Sequence, residues 1–90
     1  MSASQPEADV ISRRKHPRRR TNAPGTIEVY EGAPGIPCIL ENVSDGGAGL
    51  RFETNILLPP VFTLSVPAER VDRRCEVMWR DGYRVGVSFV

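Results

Sequence analysis

Ninety residues with twelve bases against eleven acids carry a formal charge of +1 and have room for one domain. No apolar run approaches the ~20 residues a membrane-spanning helix needs. Two cysteines, Cys38 and Cys75, are too few for a disulfide scaffold, and a single histidine, His16, leaves no spacing for a metal site.

The near-zero balance hides an asymmetry. Six of the bases fall between residues 13 and 20: Arg13, Arg14, Lys15, Arg18, Arg19 and Arg20, with no acid among them. The remainder holds six bases against eleven acids, a formal charge of −5. A cationic arm on an acidic body points to an anionic partner met by the arm. Residues 1–12 are polar and aperiodic, read as a disordered lead-in without the apolar stretch of a secretion signal. Residues 13–24 form the arm, and a cytoplasmic setting with reduced core thiols is expected.

From Gly25 the chain reads as strands. Thr26–Tyr30 alternates, with Ile27 and Val29 on one face. Residues 31–35 are turn-formers, and 36–43 is apolar and β-branched. Ser44-Asp45-Gly46-Gly47 is a second turn. It is followed by a short segment, 49–53, with Leu50 and Phe52 on one side. Pro59 and Pro60 close a loop before residues 61–66, where Phe62, Leu64 and Val66 share a face. In residues 74–80, Cys75, Val77 and Trp79 share a side. Asp81-Gly82 signals a tight hairpin into 83–90, with Val85, Val87 and Phe89 inward.

No segment has the period of an amphipathic helix. Six short strands with one apolar face each bury those faces most economically in a small antiparallel barrel with little or no helix. With the first hairpin centred on residues 32–35, facing residues sum to about 67, which sets Gly25 near Asn42. Arg18 lies seven residues before Gly25, a reach of up to roughly 24 Å. The arm is therefore expected beside the Asn42–Gly47 turn.

Two elements carry chemistry. In the turn, Asn42 and Ser44 place side-chain oxygens two residues apart, and Gly46 and Gly47 permit a left-handed backbone and close ligand approach. A ligand-free Asx or Ser-capped turn explains the same residues. In the arm, arginine forks match phosphate oxygens or guanine O6 and N7. A solvated tail with general affinity for polyanions explains these too.

Arg14-x-x-x-Arg18 followed by Asn42-x-Ser44-x-x-Gly47 resembles the PilZ domain family, whose pattern is RxxxR and then Asp or Asn-x-Ser-x-x-Gly. The segment from Cys75 to Arg80 and Gly86-Val87-Ser88-Phe89 is also similar to the end of a PilZ barrel, so the resemblance runs from about Arg13 to Val90. It implies a six-stranded barrel that binds cyclic di-GMP and takes no cofactor. Arg14 and Arg18 are implied to contact phosphate and guanine, and Asn42 to accept from guanine N–H groups. Ser44 would bond the same base or a phosphate, and Gly47 would give the ligand room. Arg13, just before the first motif arginine, implies a stacked pair of ligand molecules. Trp79 stands where some relatives place an indole against guanine, although sharing a face with Cys75 and Val77 favours a barrel plug.

There are departures. Asn42 is neutral where relatives often carry Asp, and Arg19 and Arg20 replace apolar residues. Many relatives add a helix after the last strand, whereas this sequence stops at Val90, so that barrel end is expected to be either open or covered by another chain.

The leading function is a cyclic di-GMP receptor or adaptor that orders its arm on ligand and signals to an effector protein the sequence does not identify. The alternatives are a basic-armed barrel binding nucleic acid, disfavoured by its acidic body, and a ligand-free PilZ-like adaptor. An enzyme is not expected, because His16 has no evident acid partner and no nucleophile–base set or NTPase loop is present.

Overall fold

The computed structural model describes residues 17–90. The lead-in, Arg13 and Arg14 lie outside them. Six strands form: β1 (Arg19–Glu28), β2 (Ile36–Val43), β3 (Gly47–Arg51), β4 (Val61–Val66), β5 (Val71–Asp81) and β6 (Arg84–Phe89). They close into an antiparallel barrel in the order β1-β2-β3-β6-β5-β4. The helical content of the described residues is one 3-10 turn, Pro67–Glu69. Closure removes the exposed strand edges that a six-stranded open sheet would present.

The alternating apolar residues build the core. Ile27, Leu40, Leu50, Phe62, Leu64 and Val85 are essentially fully buried. Each such side chain stabilises the fold by about 1.5–3 kcal/mol relative to exposure. Cys38 and Cys75 are buried free thiols in the same core. Burial pushes both up to about 11; at Cys38 the neighbouring Cys75 adds to the rise, whereas at Cys75 the Arg73 charge and a backbone hydrogen bond at Leu64 oppose it.

Three features differ from the sequence expectation. First, β1 starts at Arg19 rather than Thr26, so Arg19 and Arg20 are barrel residues paired with Val43 and Asn42. Only Ala23 is buried between Arg19 and Glu28 before Ile27, so this half of the strand lacks an apolar alternation to announce it. Second, the first hairpin is centred two residues earlier than expected. The Ala33 N–H donates to the Tyr30 carbonyl, and Gly32 at the third turn position has φ 83°. Facing residues in this hairpin therefore sum to 63, as in Gly25 with Cys38, and Arg20 rather than Gly25 stands opposite Asn42.

Third, three strands carry an extra residue: β1 between Arg20 and Ala23, β2 between Leu40 and Asn42, and β5 between Val77 and Trp79. A bulge turns a side chain to the face that alternation would deny it. In β5 it turns Trp79 outward, leaving the residue 51% exposed rather than inside with Cys75, so Trp79 does not plug the barrel.

The β5–β6 loop is Gly82-Tyr83, one residue beyond the expected pair, with Gly82 at φ 62° in the first loop position. The barrel thus has two unlike ends. One carries the arm, the β2–β3 turn and the 3-10 turn; the other carries the β1–β2 turn, the β3–β4 loop and the β5–β6 loop.

Candidate functional site

The three bulges converge on one patch of outer wall. In β2 the extra residue lets Glu41 and Asn42 both face outward between the buried Leu40 and Val43. In β1 it leaves Arg20, Thr21 and Asn22 on the outside together, and the Thr21 hydroxyl donates to the Leu40 carbonyl. In β5 it supplies Trp79. These side chains, with Arg18 and Arg84, line an open cleft of about 570 Å³. That lies within the usual ~300–1,000 Å³ of small-molecule sites.

Two glycines lie beneath the Asn42 and Trp79 side chains. Gly49 and Gly86 pair across β3 and β6. A Cβ on Gly49 would stand 2.7 Å from the Asn42 amide, and one on Gly86 would stand 2.1 Å from Trp79 Nε1. The amide and the indole therefore lie against bare backbone, side by side, over a row that runs β2-β3-β6-β5. A flat polar group and a flat aromatic surface then face the same cleft.

Charge surrounds them. Arg18 donates through Nη1 to Asn42 Oδ1, joining the arm to β2 across 24 positions of sequence. Glu41, 25% exposed, accepts from Arg51 at 2.8 Å and Arg84 at 3.2 Å, so the one carboxylate among the cleft-lining residues is already engaged. With Arg18, Arg20 and Arg84 on its walls, the cleft is net positive. The arrangement suits an anion with a planar ring.

The other expected site residues fall elsewhere. Ser44 caps its turn: its N–H donates to the Gly47 carbonyl at 2.9 Å, and its Oγ accepts from the Gly46 N–H at 3.3 Å. It lines a second cleft, at the arm end of the barrel, rather than the one beside Asn42. Gly47 is buried, lines neither cleft and has no positive φ. Its missing side chain serves β6, since a Cβ would meet the Val87 carbonyl at 2.3 Å. Sequence reasoning missed Glu41, Arg84 and the Gly49–Gly86 pair under Asn42 and Trp79. A carboxylate directly beside Asn42 on a strand reads as facing the opposite way, and only the bulge reverses that.

A small closed barrel whose cationic, aromatic-bearing cleft is joined to an arginine arm is the build of a ligand-binding domain. The PilZ domain family model matches residues 12–90, nearly the whole chain, and the protein belongs to that family. Comparison with curated proteins finds no match. PilZ domains are cyclic di-GMP receptors and adaptors that act through effector proteins, not enzymes. Among the described residues, no helix is long and apolar enough to cross a membrane.

Proposed function

We propose that this chain binds cyclic di-GMP in the Arg18–Asn42–Trp79 cleft and passes the signal to an effector protein in the cytoplasm. The observation that carries the reading is the Arg18–Asn42 hydrogen bond, because it joins the two motif elements at a cleft already faced by an exposed indole. Guanine stacks on Trp79, and Asn42 accepts from its N1–H or N2–H₂. A carbonyl oxygen has two lone pairs, so Asn42 Oδ1 keeps one for the base while Arg18 holds the other. Arg14 and Arg18 bind phosphate oxygens, and Arg13 adds a third guanidinium to the same arm. Ser44 and Gly47 act mainly by shaping the turn: the first caps it and the second lets β3 lie against Val87. Closure of the arm on the bound phosphates changes the surface that an effector meets.

Isothermal calorimetry tests this. Hydrogen bonds to charged groups contribute about 1.5–3 kcal/mol, so Arg18→Ala and Arg14→Ala should each weaken cyclic di-GMP binding at least tenfold while far-ultraviolet circular dichroism is unchanged. Unchanged affinity in both variants, or equal affinity for cyclic di-AMP, contradicts the proposal.

A further inference from the structure

A second cleft, also about 570 Å³, opens at the arm end of the barrel. Its floor is apolar: Val43, Val71 and Phe89. Its rim carries three guanidinium groups, from Arg19, Arg70 and Arg73. The arm end of β1 separates the two clefts. Residues there, counting the two just before the strand, alternate between them: Arg18 and Arg20 line the wall cleft, and Pro17 and Arg19 line the mouth.

Three observations set this mouth apart from a solvated charged surface. Arg73 sits over the Phe89 ring, its Cζ 4.7 Å from the centroid, which fixes the guanidinium at the rim. Arg70 has φ 58°, the left-handed value that favours glycine or asparagine, yet the sequence places a long cation there. Its N–H donates to the Pro67 carbonyl at 3.0 Å, so the strained turn holds the residue at the rim. The two acids at the mouth are Asp45 and Glu69; Glu69 already pairs with Arg19 at 2.8 Å. Among the described residues, the ion pairs use Arg19, Arg51 and Arg84, leaving Arg70 and Arg73 to face the cleft.

We infer that the barrel mouth is a second, separate site for a phosphate ester with a planar apolar body. The phosphate meets Arg70 and Arg73, and the body rests on Val43, Val71 and Phe89. This deepens the proposed function: a second nucleotide sits across β1 from the first instead of stacking on it in the wall cleft. The two sites share the arm strand, so filling one restrains the other.

The test is titration of protein with labelled arginine side chains, read at Arg70 and Arg73 Nε–H, together with calorimetry. With cyclic di-GMP, the expected result is movement of both signals and two molecules bound per chain. Arg70→Ala/Arg73→Ala should remove one molecule, and Trp79→Ala should leave the Arg70 and Arg73 shifts intact. Movement with GMP but not with cyclic di-GMP also supports the site and assigns it a mononucleotide. Movement of Arg70 and Arg73 with no response at Trp79 supports the mouth while contradicting the wall-cleft reading. Two molecules unaffected by the double variant, or both lost together in Trp79→Ala, overturn the inference and leave cyclic di-GMP binding standing. Silence of Arg70 and Arg73 toward every nucleotide also overturns it, as does inorganic phosphate binding as tightly as GMP.

Discussion

The two ends of the barrel solve the same geometric problem with different residues. At the far end, the left-handed positions are glycines, Gly32 at φ 83° and Gly82 at φ 62°, with open space where a Cβ would stand. At the arm end, the left-handed position is Arg70 and the β2–β3 turn is held by the Ser44 hydroxyl. The far end follows the usual turn chemistry. The arm end departs from it, and every departure puts a charged or polar group beside a cleft. Local rules broken in one place and obeyed elsewhere mark where a sequence has been shaped by something besides stability.

Substitutions can sharpen this contrast. Gly47→Ala, at the arm end, should cost the most. Its Cβ would meet the Val87 backbone carbonyl, which cannot swing aside, and overpacking of this kind costs about 1–3 kcal/mol. Urea denaturation checks it, and a midpoint equal to wild type would show that β3 and β6 part more easily than their packing implies.

Next comes the core that both ends share. Cys38 and Cys75 have pKa values raised to about 11 from an ordinary value near 9. Between these values the unfolded thiols lose protons that the folded ones keep, so stability is intact below pH 9 and falls as pH climbs toward 11. By pH 9.5 the loss should be on the order of 1 kcal/mol. Denaturation at pH 7.5 and 9.5 should show a steeper decline in wild type than in Cys38→Ala/Cys75→Ala; parallel declines would exclude the thiols as its source.

The smallest effect belongs to the far end. Gly32→Ala and Gly82→Ala force a side chain into a left-handed backbone at a cost of about 1 kcal/mol each, with no steric clash to add to it. Cyclic di-GMP affinity should be unchanged in both. A tenfold loss in either would mean that the far end takes part in binding and would erase the distinction between the ends.

Much of this architecture was legible in the sequence. Alternation marked Ile27, Phe62, Leu64, Val66, Val85 and Val87 as core, and all are buried. The first hairpin and the reach of seven residues put the arm beside the Asn42–Gly47 turn, and Arg18 bonds Asn42, although the residue opposite Asn42 is Arg20 and not Gly25. The register was not legible, because residues 31–35 hold two glycines and a proline, and composition cannot choose between a turn centred on Tyr30–Ala33 and one centred two residues later. The bulges were hidden as well. One extra residue shifts alternation by a single step, and at Met78-Trp79 two successive exposed apolar side chains look no different from an in–out pair. The near half of β1 was missed because its outward residues, Arg20 and Asn22, are polar for the cleft, not for a strand pattern.

The central claim is that the cleft between arm and wall holds a guanine against Trp79. The chain has a single tryptophan, so fluorescence excited selectively at the indole reports on that cleft. Titration with cyclic di-GMP should quench and shift the emission saturably in wild type, with little response to cyclic di-AMP and a response at least tenfold weaker in Arg18→Ala. Emission that stays constant to saturating cyclic di-GMP, while calorimetry still records binding, would place the nucleotide elsewhere and contradict the account.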